Sequence, residues 1–522
     1  MKKSTIIYLL GLLIIISSCK DEIDELFLNP DKSTTAKIEY LFSGALIQSG
    51  AGLRVGYNPS GYYLLLQGLG PWTQVVANDA NDAKMMDLIN NAISGSWNAY
   101  YIAFMSKVAE MQILYDELPD NQKSDYDVFM NMIKIVKVHG TSKITDLYGD
   151  MPYFDAFNSR DVNNQIVFPK FDSQKDIYTA LLTDLKEASE YLSSFTPNSS
   201  LLHGSIPSQD LLNHGDIDKW VRFANSLRLR IAMRIIDADP VLAATTVGEV
   251  QNLPLVLTNT HNILVDAASP NGLNTRDGAD GQNFIGRAFQ DRQNRTFAGE
   301  LMIDLMNTAN DPRMPYYFQT NELGNYVGVP SSPDILEPIR QDIIDANYSK
   351  INENLILDNL YHPGIVITSA EVNFLLAEAA MKGIGTGSAE VFYNTALKES
   401  VEFYYQMIAL NTNTSPAPVA PDMTVVDNFI ATSSFAYNGT IEQLATQKWI
   451  HFGIMQANEA YADYRKFDFP VLQANIPSSG GAALVTPTRV TIPDNEKVRN
   501  EENYAVVKAN DTPYSKVWWD IN

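Results

Sequence analysis

Carboxylates offer the first chemistry to consider. Asp146 and Asp150 stand in Asp146-Leu147-Tyr148-Gly149-Asp150-Met151-Pro152-Tyr153. Glycoside hydrolysis needs little more than two acids whose separation the fold fixes. The same stretch also reads as scaffold, with Asp146 ending a helix while Gly149 and Pro152 build a turn. Scaffold is the favoured reading. A second acidic segment, Asp277-Gly278-Ala279-Asp280-Gly281-Gln282-Asn283, spaces oxygen ligands as a calcium loop does. It lacks the EF-hand spacing and its closing Glu, so a solvated polar loop is the simpler account.

Aromatic side chains in glycine-rich surroundings point to different chemistry. Tyr62, Tyr63 and Trp72 sit among Gly56, Gly61, Gly68 and Gly70, followed by Asn78, Asp79, Asn81 and Asp82. Exposed rings stack on the apolar faces of sugars, while amides, carboxylates and guanidinium groups bond the hydroxyls. Phe284, Arg292 and Tyr326 repeat this mixture in later loops. The candidate ligand-binding residues are therefore Tyr62, Tyr63, Trp72, Asn81, Asp82, Phe284, Arg292 and Tyr326. Each ring could equally pack beneath its loop.

Other chemistries lack their motifs. The six histidines lie at 139, 203, 214, 261, 362 and 451, too scattered for a helical zinc pair. No Gly-x-Ser-x-Gly elbow, phosphate-binding P-loop or dinucleotide fingerprint occurs. No catalytic residue, resident metal or cofactor is expected.

The chain of 522 residues carries 38 Lys+Arg against 61 Asp+Glu, a net charge of −23. Lys2 and Lys3 lie in residues 1–18, which hold no acid, so the remainder stands at −25. Such a surface repels phosphate backbones, and nucleic acid is not an expected partner. With 6 Trp, 26 Tyr and 22 Phe, the chain has the apolar bulk for a substantial core. A single Cys excludes a disulfide framework.

That cysteine is informative by position. A basic start (Lys2, Lys3) and an apolar run from Ile6 to Ile16 lead to Ile16-Ser17-Ser18-Cys19. The run is too short to span a bilayer and has the shape of a secretory signal. Its end resembles a bacterial lipoprotein box, which predicts lipidation at Cys19; an ordinary signal with an incidental Cys is the alternative. Lys20-Asp21-Glu22 resembles the acidic signal that sends some Gram-negative lipoproteins to the cell exterior, or is simply a solvated tether. The expected organisation is a signal peptide at 1–18, a lipidated tether at 19–35 and one helical domain with loop insertions at 36–522.

The elements that must position any site are mostly helical. Phe129, Met130, Ile133 and Val136 keep helical spacing within Tyr126–Leu147. Asp172 is placed to cap the helix through Ile177, Leu181, Leu182, Leu185 and Ala188. Lys219–Ile236 aligns Trp220, Phe223, Leu227, Ile231 and Ile235, with Arg222, Arg228, Arg230 and Arg234 riding along. Ser369 is expected to cap Ala370–Lys382, and Ser388 to cap Ala389–Ile408. The Ala-rich first member suits one tetratricopeptide-like pair. Thr440 with Gln443 predicts a capping box before a helix reaching about Tyr464. Long irregular stretches are expected at 54–82, 268–295, 322–342, 411–422 and 476–500, and loops of that length are usually functional.

Several stretches together resemble the SusD/RagB family of outer-membrane lipoproteins. They are Asp146–Tyr153, Trp220–Arg234, Asn310-Asp311-Pro312-Arg313, Thr368–Lys382 and Gln447–Leu472. The closing run Arg489-Val490-Thr491-Ile492-Pro493, with Glu496 and Asn500, belongs with them. Tyr461 stands where the family often has Trp, and Lys466 where a second Arg is common; both departures look conservative for packing. The resemblance implies a mostly α fold, with tetratricopeptide-like helix pairs as scaffold and long irregular ligand-binding loops. It implies a partner, a SusC-like TonB-dependent β-barrel transporter, and capture of oligosaccharides or, in some members, peptides, without catalysis. No binding residue carries over from it, because the matched motifs are scaffold. A glycan-cleaving lipoprotein, or a surface protein gripping only a protein partner, are the readings from other classes.

Overall fold

The computed structural model describes residues 36–53, 64–78, 88, 90–157, 167–266, 286, 288–289, 296–330, 341–412, 414, 416–474 and 482–522. Eight helices form the scaffold: α1 (Asp120–Tyr148), α2 (Gln174–Ser194), α3 (Ile217–Ile235), α4 (Pro240–Val250), α5 (Ser369–Met381), α6 (Ala389–Ala409), α7 (Ile441–Phe452) and α8 (Ala457–Phe467). Successive helices pack as neighbours: α1 on α2, α2 on α3, α3 on α4, α5 on α6 and α7 on α8. Contacts of α3 with α5 join the two halves, and α5 also packs on α7. One cluster of buried apolar side chains runs through both halves, from Ile38 to Trp519.

Local chemistry sets the helix starts. Asp216, Asp239, Ser388 and Thr440 each accept a hydrogen bond from a backbone N–H of the first turn of α3, α4, α6 and α7. Each cap satisfies an otherwise orphaned donor, worth about 1 kcal/mol. Two expected caps are displaced by one residue. Ser173, not Asp172, accepts from Asp176 N at the start of α2; Asp172 instead accepts from Tyr153 N and Phe154 N. Thr368, not Ser369, caps α5, and the Ser369 hydroxyl turns to Glu399 on α6. The capping box is half formed, because Gln443 Oε1 accepts from Asn438 N rather than Thr440 N.

The helix expected to run to Tyr464 breaks at Gly453, where φ is 46°. A Cβ there would stand 1.7 Å from Tyr317 Oη, so only glycine lets that ring approach. Within the stretch expected to be irregular at 54–82, residues 64–72 are helical and buried Leu64, Leu65, Leu66 and Leu69 face the core. A short helix, Asp494–Arg499, likewise interrupts the stretch 476–500.

Three of the four arginines of α3 are internal, and Arg222 stays partly exposed beside Asp218. Arg228, Arg230 and Arg234 are buried, and the last two join a lattice of charges shared by α1, α3, α5, α7 and α8. Arg234 Nη2 lies 2.7 Å from Glu459 Oε2 and its Nε 3.7 Å from Asp146 Oδ2. Lys448 Nζ sits 2.7 Å from Asp463 Oδ2, and Lys466 pairs with Glu378. Burial would raise the Glu459 carboxyl, yet Arg230 and Arg234 outweigh it and hold it down to about 2. Buried charges persist only when paired this closely.

Asp146, the first member of the carboxylate pair, belongs to this lattice. Its Oδ1 accepts from Tyr178 Oη and from Trp519 Nε1 at 2.7 Å. Asp150 accepts from Gln174 N at 2.8 Å. Asp146 is committed to joining α2, α3 and the C-terminal Trp519, and Asp150 to holding the start of α2.

Candidate ligand-binding face

A small strand cluster stands apart from the main core. Strand β1 (Ala77–Asn78) pairs antiparallel with β3 (Thr296–Phe297), in the register Ala77↔Phe297 and Asn78↔Thr296. Phe297 also bridges Lys350, and Gly299 bridges Val329. Ala298 N donates to Ser349 O at 3.0 Å, and Val329 N to Ala298 O at 2.8 Å. Ala77, Phe297 and Val329 make its own apolar centre, with Ile343 and Tyr348 against it. A Cβ on Gly299 would lie 2.4 Å from Gln74 O, so glycine permits this close crossing. The other two-stranded sheet, β2 (Ile263–Val265) with β4 (Gly364–Ile367), is buried scaffold between helices.

The cluster joins segments distant in sequence: Ala77–Asn78, Thr296–Gly299, and the stretch that holds Val329 and Lys350. A fourth segment is held by Gln74, whose Nε2 donates to Gln473 O at 2.8 Å and whose Oε1 accepts from Gln473 N at 2.9 Å. Gln473 Nε2 in turn donates to Glu300 Oε2 at 2.6 Å. Long-range pairing thus collects segments from four distant parts of the chain.

Beside the cluster lies an apolar recess. Phe289, Ile351, Ile356 and Leu357 line it, with Lys350, Asn352 and Glu353 contributing the polar atoms. The Asn352 amide is already engaged, donating to Pro315 O and accepting from Asn354 N. Lys350 and Glu353 are partly exposed.

Against this geometry the predicted site residues divide. Tyr62, Tyr63, Asn81, Asp82, Phe284 and Arg292 lie outside the described residues, as do Cys19 and the segment Asp277–Asn283. Tyr326 is half-buried three positions before Val329, its carbonyl accepting from Asn307 Nδ2 at 3.2 Å. Burial pushes its phenol above the ordinary value. Trp72 is corrected: it is 1% exposed, with its ring 5.6 Å from that of Tyr461. It is a core residue with no face to offer a sugar. Gln74, Glu300, Lys350, Glu353 and Gln473 were not anticipated, because separate polar residues carry no periodic signal.

Among the described residues no helix is long and apolar enough to cross a membrane, and no group of three His, Cys, Asp or Glu could hold a metal.

The mostly helical scaffold, with one small strand cluster joining distant segments, defines the fold class. The SusD-like family, described as starch-binding and associating with the outer membrane, matches residues 66–493, and the chain belongs to it. Solved structures agree on the fold. A chitin-binding protein is 23% identical with a TM-score of 0.75, covering 92% of this chain and 100% of that one. A SusD homologue from Bacteroides vulgatus is 21% identical with a TM-score of 0.71, covering 93% and 98%. A chitin-binding SusD homologue from Flavobacterium johnsoniae is 25% identical with a TM-score of 0.69, covering 92% and 99%. No curated protein matches the chain by sequence.

Proposed function

We propose that this protein captures oligosaccharides at the outer membrane and hands them to a SusC-like TonB-dependent transporter. In this reading the lipid on Cys19 anchors it facing the exterior, residues 19–35 are the tether, and the body from residue 36 carries the ligand. The observation that carries the proposal is family membership across residues 66–493, joined to the convergence of four chain segments at one strand cluster. Asn81, Asp82 and Arg292 flank that cluster in sequence and remain proposed ligand contacts, as does half-buried Tyr326, three positions before Val329. The chitin-binding relative makes N-acetylated glycans the first ligands to try.

Binding without turnover is the proposed mode. The protein would hold the ligand by ring stacking and hydroxyl bonds, with the transporter supplying the energy for import. Commitment of Asp146 to Tyr178 and Trp519, and of Asp150 to Gln174 N, supports this over glycan cleavage. The test is calorimetric titration of the full chain in detergent with chito-, cello- and malto-oligosaccharides and peptides, followed by product analysis. Saturable binding of an intact glycan is expected. Newly formed reducing ends would replace capture with hydrolysis, and saturation by peptides alone would replace the glycan.

A further inference from the structure

The recess beside the strand cluster has the chemistry of an amide-and-methyl receptor. Its floor is the side chains of Phe289, Ile351 and Ile356, all buried, with Leu357 at the edge. The lining is mainly apolar, and the enclosed space admits a methyl-sized group rather than a pyranose ring. Lys350 and Glu353 border it and are partly exposed. Together they offer one cationic donor and one anionic acceptor, which is what a secondary amide needs. Lys350 is bridged to Phe297, and Phe297 pairs with Ala77, so the recess lies only two strand spacings from β1, roughly 10 Å.

We propose that this recess takes the acetamido group of an N-acetylhexosamine unit, with the methyl on the Phe289–Ile351–Ile356 floor. The amide oxygen accepts from Lys350 Nζ, and the amide N–H donates to the Glu353 carboxylate. The proposal rests on the glycan-capture reading and adds to it the feature that selects among glycans. Overall charge cannot produce this selection. A chain at −23 attracts the deacetylated, cationic sugar more strongly than the neutral acetamide. A preference for the acetylated form therefore has to come from local contacts.

The experiment titrates the full chain in detergent with chitohexaose, its fully deacetylated counterpart and cellohexaose. Chitohexaose is expected to bind at least about tenfold tighter than either, the scale on which a pocket discriminates one methyl plus a bonded amide. Leu357→Trp, which fills the recess from its edge, should bring the ratio close to one. Lys350→Met should reduce the ratio severalfold, and thermal melts confirm that both variants fold. Equal affinities in the native chain would overturn the recess and leave glycan capture standing. Discrimination that survives both substitutions would also overturn the recess. Failure of every oligosaccharide to bind would overturn the capture reading and this proposal with it.

Discussion

The guanidinium of Arg230 grips both carboxylate oxygens of Glu371, with Nε 2.5 Å from Oε1 and Nη2 2.7 Å from Oε2. The two residues are 141 positions apart, on α3 and α5. Arg230 Nη2 also donates to Val366 O on β4 at 2.8 Å. One side chain thereby ties the first half of the scaffold to the second, in a bidentate geometry that lysine could not reproduce.

Breaking this pair should be costly. Glu371→Gln or Arg230→Met leaves its partner charged and buried, with an expected loss of about 3–5 kcal/mol. Denaturant unfolding monitored by circular dichroism measures it. A loss under about 1 kcal/mol would mean that the lattice rearranges around the gap.

Trp72→Ala should act on stability and not on the ligand. The ring is buried against Tyr461, and emptying its site should cost about 3–5 kcal/mol. Protein that remains folded should bind oligosaccharide with native affinity by calorimetry.

Stability should fall in mild acid because buried histidines are held neutral. Burial, with the Arg313 charge nearby, lowers the His451 imidazole to about 3, and burial lowers His362 to about 4. Burial together with Lys143 holds His139 well below its ordinary value. A group with a depressed folded pKa gains its proton first in the unfolded chain. The stability is therefore full above about pH 6.5 and declines below it, by about 1.4 kcal/mol per pH unit for each such histidine. His451→Gln should make the slope shallower by close to one proton between about pH 5 and 6, as read from urea midpoints across pH.

Gln473→Ala should loosen the candidate face without unfolding the body. Its side chain donates to Glu300, while its backbone stays paired with Gln74. One hydrogen bond to a charged acceptor is worth about 1.5–3 kcal/mol. Oligosaccharide affinity is expected to drop about fivefold with only a small change in melting temperature. Unchanged affinity would separate Gln473 from the ligand face.

The sequence alone determined the class of the protein: helical spacing in α1, α2, α3 and the α5–α6 pair, and scaffold motifs in an order that resembles one family. Those features are local, since a period of 3.6 residues and a cap at the first turn are written within one segment. Ser388 and Thr440 could be read as caps for that reason, whereas the caps fall at Ser173 and Thr368 because Asp172 and Ser369 are engaged by distant residues, Tyr153 and Phe154 for the first and Glu399 for the second. What covers a helix face is not local. The sequence of α3 does not say what Arg230 and Arg234 meet, and only the approach of Glu371, Glu459 and Asp146 from other helices brings them inside. Trp72 carried the composition of a sugar platform, and the packing of α8 beneath it made it core. The strand cluster depended wholly on tertiary structure. Asn78 opposite Thr296, and Gln74 bonded to Gln473, join residues hundreds of positions apart through backbone and amide groups that almost any sequence could supply.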